Sequence, residues 1–296
     1  MSSIRLAFVT DIHHGDDHLT KKGSAALPLL TEFARFVAAS RVDAVVDMGD
    51  RISDADQPSD LRLQCEVAEA FRTVSAPRYH ICGNHDLDHL SVAENEKIFG
   101  QSLASQTIDI GGWRLVLWRA DALIRRPGGF LLAERDVLWL AGVVRTADRP
   151  LVIASHVPVS GHSQTGNYYF QNNPQHSPYP GAERLRAVLR QARVPVVWVA
   201  GHVHWNTVTL VDGIPHITLQ SLTETFTTHP EPAGAWGLLD LGSSLAWQAY
   251  GRDSASFAMP TTEAARRWVM PLPPFDEMPE VRARHRRLEA VQQVAE

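Results

Sequence analysis

Residues 81–90 read ICGNHDLDHL, and the letters Gly-Asn-His-Asp at positions 83–86 directly follow an apolar run. Residues 79–82 predict the end of a short buried strand. An amide, an imidazole and a carboxylate at the end of a strand either form a turn or contribute to a site. Which of the two applies depends on how the other strands of the chain end.

Apolar runs rich in β-branched residues predict strands that are covered on both faces. They are residues 4–9, 44–48, 79–82, 151–154 and 196–200. Amphipathic helical patterns lie between them, at residues 24–40, 61–74, 133–146 and 182–192. Because strands alternate with helices, the first two thirds of the chain predict an α/β fold.

The pattern changes after residue 201, where four further strands are predicted. They are residues 206–211, 214–219, 235–239 and 246–250. Asp212-Gly213 predicts a hairpin between the first two, and Gly111-Gly112 predicts another between residues 106–110 and 113–119. Antiparallel strands therefore join the parallel ones, which gives mixed sheets. We expect residues 1–258 to form the main domain and residues 259–296, with the proline-rich MPLPPFDEMP, a helical extension.

Composition narrows the class of protein. With 296 residues, of which 44% are hydrophobic, the chain can bury a full core. A net charge of −5 argues against a nucleic-acid binder, and we interpret the basic segment 282–287 as a solvated helical tail. Neither a membrane span nor a signal peptide is apparent, so we expect a cytoplasmic protein. Cys65 and Cys82 are expected to be buried free thiols.

Reactive residue types follow each of the five predicted buried strands. The segments are Thr-Asp-Ile-His at 10–13, Gly-Asp at 49–50, Gly-Asn-His-Asp at 83–86, Ser-His at 155–156 and Gly-His-Val-His at 201–204. In α/β proteins the loops beyond the carboxyl ends of strands form the site, because the sheet holds distant residues in one crevice. The five segments therefore predict one shared pocket.

The donor types indicate what this pocket binds. Carboxylate and amide oxygens with imidazole nitrogens suit manganese, iron or zinc, and the set is larger than one ion can use. Two ions that share a carboxylate form the clamp used for displacement at phosphorus. The sequence therefore predicts two divalent or trivalent metal ions and hydrolysis of a phosphate ester.

The ordered motifs DIH, GD, GNHD, a single strand-end His and GHVH, between residues 11 and 204, resemble the calcineurin-like metallophosphoesterase superfamily. The resemblance implies a four-layer αββα sandwich of two mixed sheets with the metals at the strand ends. It assigns the first metal to Asp11, His13, Asp50 and His204. It assigns the second metal to Asp50, Asn84, His156 and His202, so that Asp50 bridges the two ions.

The same resemblance implies that His85 is catalytic and not a ligand. It would stabilise developing charge or protonate the leaving oxygen while a metal-bridging hydroxide attacks phosphorus. In several relatives an aspartate three positions after the bridging one orients this histidine. Here Ser53 holds that position and Asp54 follows it, so the sequence leaves the partner of His85 open.

The motifs also narrow the substrate. GDRISDAD and GNHD differ from the GDxVDRG and GNHE of Ser/Thr protein phosphatases, which argues against a phosphoprotein substrate. GNHD with GHVH is similar to class III cyclic-nucleotide phosphodiesterases, so we expect a small-molecule phosphodiester, cyclic nucleotides included. A phosphomonoesterase or a nucleotide pyrophosphatase would use the same site, and a non-catalytic scaffold and a nuclease are further alternatives. A homo-oligomer is compatible with the sequence.

A long polar segment follows His156, at residues 160–181. Loops of this length often cover a site. Tyr168, Tyr169 and Phe170 are the candidate substrate-binding residues, since they could stack on a base or cover an apolar leaving group. Alternatively, the loop packs on its own aromatic side chains.

Overall fold

A computed structural model describes residues 3–261, 269, 271–285 and 287. The chain divides into two units, residues 1–265 and 266–296. In the second unit, Phe275–Glu277 form a turn of 3-10 helix and residues 279–285 are helical. The expected division at residue 259 stays a prediction.

Strands and helices alternate through the first two thirds of the first unit, as the sequence predicts. Its strands are β1 Ile4–Val9, β2 Ala44–Asp47, β3 Arg78–His80, β4 Gln106–Ile110, β5 Trp113–Leu117, β6 Leu151–Ser155, β7 Val196–Ala200, β8 Thr207–Val211, β9 Ile214–Thr218, β10 Trp236–Leu241, β11 Ser244–Tyr250 and β12 Ala255–Pro260. Its helices are α1 Ala26–Ser40, α2 Gln57–Phe71, α3 Val92–Phe99, α4 Glu134–Arg145 and α5 Ala182–Leu189.

The strands form two mixed six-stranded sheets. The first has the order β12-β11-β10-β1-β2-β3, with β1, β2 and β3 parallel and the other pairs antiparallel. The second has the order β4-β5-β6-β7-β9-β8, in which β5, β6, β7 and β9 run parallel. Both predicted hairpins are present, β4–β5 and β8–β9.

Alternating side chains of each sheet pack on different layers, because successive residues of a strand point to opposite faces. Leu6 and Phe8 of β1 share a cluster with Leu115 and Leu117 of β5, so the two sheets face each other. Their outer faces pack on helices: α1 and α2 cover the first sheet, and α4 and α5 cover the second. The predicted four-layer αββα sandwich is confirmed.

Two elements escaped the sequence patterns. Helix α3 is only eight residues long, but Ser91 and Glu94 form a capping box that signals its start. In strand β12, partly buried and exposed side chains alternate, and the sequence alone gives only a weak strand pattern there.

Cys65 is exposed on α2, so the expectation of a buried thiol there was wrong, whereas Cys82 is buried. Among the described residues, no helix combines the length and apolarity that a bilayer span requires.

The buried guanidinium of Arg51 connects the loops after β2 and β3. The Arg51 side chain is fully buried, donates to Asp47 Oδ2 at 3.0 Å and lies 3.3 Å from Asp86 Oδ2. It also donates to the side-chain oxygens of Gln64 and Asn95, at 3.0 and 3.2 Å. These partners come from β2, the GNHD segment, α2 and α3. The guanidinium therefore compensates two buried acids directly behind the strand ends.

We expect Arg51→Met to lower the free energy of unfolding by about 3–5 kcal/mol, because it leaves two buried carboxylates without their cation. Urea denaturation measures the change. Arg62→Met is the matched control, since Arg62 pairs with Glu66 at an exposed site and its removal should cost at most about 1 kcal/mol. Equal losses for the two variants would contradict this account of the core.

Candidate metal centre

The seven predicted ligands lie in loops at the carboxyl ends of β1, β2, β3, β6 and β7. Both sheets present these ends on the same side of the sandwich, and the loops meet there. Six of the seven residues are buried, and His204 is partly exposed. They are Asp11, His13, Asp50, Asn84, His156, His202 and His204.

Five of these residues have a left-handed backbone. The φ angles are 50° at Asp11, 47° at His13, 54° at Asp50, 70° at His202 and 49° at His204. Such a conformation costs about 1–3 kcal/mol at a residue other than glycine. Backbone bonds hold the turns: Asp11 N–H donates to Gly49 O at 2.9 Å, and His13 N–H donates to Asp50 O at 3.0 Å. The fold therefore aims these side chains at one point at a conformational cost.

The first group of converging donors is Asp11, His13 and His204. The Nε2 atoms of the two imidazoles are 3.0 Å apart, and His204 Nε2 lies 3.1 Å from Asp11 Oδ1. Two ligands at about 2.1 Å from one ion are about 3.0–3.4 Å apart, depending on the geometry. Two of the three spacings in the group fall in this range, and the third, between His13 Nε2 and Asp11 Oδ1, is 4.0 Å.

The second group is Asp50, His156 and His202. His156 Nε2 lies 3.3 Å from Asp50 Oδ2, and the His156 and His202 rings are 5.0 Å apart between centroids. The same Asp50 Oδ2 atom lies 4.0 Å from His13 Nε2 of the first group. Asp50 therefore stands between the two groups.

Several candidate ligand atoms have no hydrogen-bond partner, which bears on whether metal ions fit this site. Asp11 Oδ1, Asn84 Oδ1, His156 Nε2 and His202 Nδ1 are buried and have no hydrogen-bond partner among the described residues. Buried polar groups are otherwise almost always paired, because an unmet donor or acceptor costs about 1–3 kcal/mol. A donor set with four such atoms fits metal ions.

Charges within the site compensate one another. Burial alone would raise the pKa of Asp11 and Asp50, but neighbouring imidazoles lower the pKa of both carboxyls. Burial would lower the pKa of His156 and His204, whereas the adjacent carboxylates raise both to about 9. Burial and the neighbouring His156 lower the pKa of His202 to about 3. The acids are thus ionised and require positive charge beside them.

The region that carries all seven candidate ligands matches a known protein family. A family model described as calcineurin-like phosphoesterase matches residues 4–206. The chain belongs to the calcineurin-like phosphoesterase family. It is therefore assigned to the metal-dependent phosphohydrolases with two-metal sites. No curated protein matches the sequence.

Solved structures share the fold of this calcineurin-like phosphoesterase at low identity. A dimetal phosphatase from Danio rerio is 16% identical, with 88% of this chain and 100% of that chain covered and a TM-score of 0.69. A purple acid phosphatase from yellow lupin seeds is 15% identical, with 88% and 54% covered and a TM-score of 0.61. A putative 5′-nucleotidase from Staphylococcus aureus is 13% identical, with 98% and 58% covered and a TM-score of 0.50.

His85 lies beside the donors with its ring anchored from behind. Its Nδ1 is hydrogen-bonded to Asp54 Oδ1, and its Nε2 lies 4.0 Å from Asp50 Oδ2. Ser53 instead donates to the carbonyl of His13, at 3.3 Å. Asp54 is thus the partner that the sequence left open. Two further groups of converging donors include His85: His13, Asp50 and His85, and Asp54, His85 and Asp88.

Residues outside the motifs orient the imidazoles of this phosphoesterase. Glu224 Oε2 lies 3.0 Å from His204 Nδ1, and the carbonyls of Met48 and His176 lie 2.9 and 2.8 Å from His156 Nδ1 and His202 Nε2. Such contacts fix which ring nitrogen faces a metal. Sequence reasoning missed Glu224, because it lies in an irregular segment between β9 and β10.

Asp86, the last residue of the GNHD motif, has a structural role. Asp86 is fully buried and accepts hydrogen bonds from the backbone N–H groups of Asp50, Arg51 and Gly83, at 2.8–2.9 Å. Its carboxylate ties the turn after β3 to the turn after β2. The opening stretch therefore provides one candidate ligand, one candidate catalytic group and the group that holds them in place.

The predicted substrate loop packs on the last motif. Asn167 Nδ2 donates to Val203 O at 2.8 Å, and the Phe170 ring lies 5.0 Å from the His202 ring. Phe170 is buried, whereas Tyr168 and Tyr169 are about half exposed, at 54% and 47%. The substrate-binding role of these aromatic residues stays a prediction.

A cavity of about 590 Å³ opens beside His85. Its lining includes three carboxylates, those of Asp16, Asp17 and Asp54, and the cations of Lys21 and Arg62. The cavity provides access to the His85 side of the site.

We expect Gly201→Ala to destabilise the protein by about 1–3 kcal/mol, because a Cβ at position 201 would lie 2.0 Å from Thr10 Oγ1 and 2.7 Å from Asp11 Oδ2. Thermal or urea denaturation measures the loss. Gly142→Ala is the control: nothing lies within 4 Å of that Cβ, so this helical substitution should stabilise by about 0.5–1 kcal/mol. Stabilisation by both substitutions would show that the loop tolerates a side chain.

Proposed function

We propose that this protein hydrolyses small-molecule phosphodiesters, cyclic nucleotides among them, with two metal ions held at the strand ends. One observation carries the proposal: Asp50 Oδ2 faces His13 of one donor group and His156 of the other. A carboxylate in that position is suited to bridge two cations.

The proposed ligand sets are those that the family resemblance implies, and each contains one of the two groups. Asp11, His13, Asp50 and His204 would hold one ion, and Asp50, Asn84, His156 and His202 would hold the other. Mixed oxygen and imidazole donors suit manganese, iron or zinc. When bound, such ions supply Lewis acidity toward phosphoryl oxygens and lower the pKa of water.

His85 is proposed to act on the leaving group. The Asp54 contact to Nδ1 orients the ring, so that Nε2 points toward the donors and can present a proton to a leaving oxygen. The side chain is 28% exposed, so a substrate can reach it. Asp54 is a positioning residue in this scheme.

Charge in the access cavity favours a diester over a monoester. A diester carries one negative charge, whereas a monoester approaches two near neutral pH. Three carboxylates against the two cations of Lys21 and Arg62 leave the lining with a formal charge of −1, which repels the doubly charged ligand more strongly. Phosphomonoesters are the alternative, since two of the similar structures are named phosphatases.

The other expectations stay predictions. They concern cytoplasmic location, oligomeric state, the part played by residues 259–296, and the alternatives of a nucleotide pyrophosphatase, a scaffold and a nuclease.

Metal reconstitution tests the proposal. Chelated protein refilled with manganese, iron or zinc should bind two ions per chain by elemental analysis and hydrolyse bis(p-nitrophenyl) phosphate faster than p-nitrophenyl phosphate. Cyclic AMP is assayed as a third substrate. Asp50→Ala should reduce metal content more than His13→Ala does, because Asp50 is a proposed ligand of both ions and His13 of one. Two bound ions without hydrolysis of any ester would refute the proposal.

We expect His85→Ala to keep the full metal content and to lower kcat about 10²–10⁴-fold, because it removes a proton donor and no ligand. Steady-state kinetics with parallel metal analysis measure both quantities. His89→Ala is the control, since His89 lies four residues away and its Nδ1 bonds to Asp60 at 2.9 Å. A near-normal rate in His85→Ala would rule out the assigned role.

A further inference from the structure

Two aromatic rings from distant segments stack at the edge of the site. The Tyr168 and Phe226 rings are 6.1 Å apart between centroids and nearly parallel, with an interplanar angle of 19°. This spacing lies within the range of offset-stacked aromatic pairs. Tyr168 is 54% exposed, so its ring remains accessible to a ligand.

Hydrogen bonds connect the segments that carry the two rings to the His202–His204 loop. On one side, Asn167, the neighbour of Tyr168, donates its amide to Val203 O at 2.8 Å. On the other, the Phe226 N–H donates to Glu224 Oε1 at 3.3 Å, and the second oxygen of Glu224 lies 3.0 Å from His204 Nδ1. The segment carrying Tyr168 is therefore tied to Val203, and the segment carrying Phe226 is tied through Glu224 to the proposed ligand His204.

The remaining aromatic residues of the loop are placed differently. Phe170 is only 7% exposed and packs on the His202 ring, so it supports a proposed ligand and cannot receive a substrate ring. Tyr169 packs edge-on against Phe170. Tyr168 alone of the three predicted residues shares a stack with a ring from another segment of the described chain.

We propose that Tyr168 and Phe226 bind a flat aromatic ring carried by the ester group that stays on phosphorus, such as a nucleobase or a simple aryl group. This inference rests on the proposed function, because it names the substrate class of the same site. Stacking on an aromatic side chain tolerates any ring, since every base presents a π face. Tyr168 and Phe226 are then specificity-determining residues.

Three p-nitrophenyl phosphodiesters test the inference, because they share a leaving group and differ in the retained group: thymidine 5′-, phenyl or methyl. In Tyr168→Ala we expect KM for the thymidine ester to rise about tenfold, with KM for the methyl ester and all kcat values unchanged. A matching rise for the phenyl ester shows that any flat ring is bound, and a rise for the thymidine ester alone shows selection of a nucleobase.

Matched variants separate stacking from damage to the fold. Tyr168→Phe keeps the ring and should keep the wild-type KM, and Phe226→Leu keeps apolar volume but should raise KM for the thymidine ester. Leu138→Ala, which truncates a similarly exposed apolar side chain on α4, should leave all three esters unaffected. Equal KM changes for the thymidine and methyl esters in Tyr168→Ala, or no change in either, would overturn the inference.

Binding without catalysis distinguishes failure of this inference from failure of the proposed function. Saturation-transfer NMR with thymidine and metal-free protein should show transfer to the base protons, and Tyr168→Ala should abolish most of it. Loss of that signal in a protein that hydrolyses no ester would uphold ring binding while refuting the hydrolase. An unchanged signal in Tyr168→Ala would refute ring binding whatever the enzyme hydrolyses.

Discussion

The structure depends on keeping two carboxylates, Asp11 and Asp50, ionised and buried at the ends of two facing sheets. An isolated buried charge is unfavourable, so each acid lies beside imidazoles that lower its pKa. The protein also accepts left-handed backbone at both acids. Strain and buried charge concentrated at one point are typical of a functional site.

The sandwich makes this concentration of charge possible. His202 N–H donates to Asp11 Oδ2 at 2.9 Å, although 191 residues separate them, because β1 and β7 end on the same side of the molecule. Arg51 and Asp86 form a second buried layer behind Asp50 and hold its turn. The proposed centre is thus held from behind by charge pairs and from the sides by rigid strands.

Access to the centre differs between its two sides. The His85 side opens into a cavity lined by three carboxylates and two cations, and His85 itself is hydrogen-bonded to Asp54. On the His204 side, Asn167 in the loop that carries Tyr168 bonds to Val203, and Glu224, near Phe226, bonds to His204. A proton donor on one side and an aromatic surface on the other would position an ester across the proposed metal pair.

Local patterns in the sequence were sufficient for every described strand but β12, for the mixed sheets and for the polar residues that follow the buried strands, because neighbouring residues encode apolar runs and their polar ends. Tertiary structure decided the contacts between distant residues. It assigned Asp54, and not Ser53, to His85, placed Glu224 behind His204 and buried Phe170 against His202. Those contacts depend on how loops from separate strands pack, and no periodicity in one segment records the position of another.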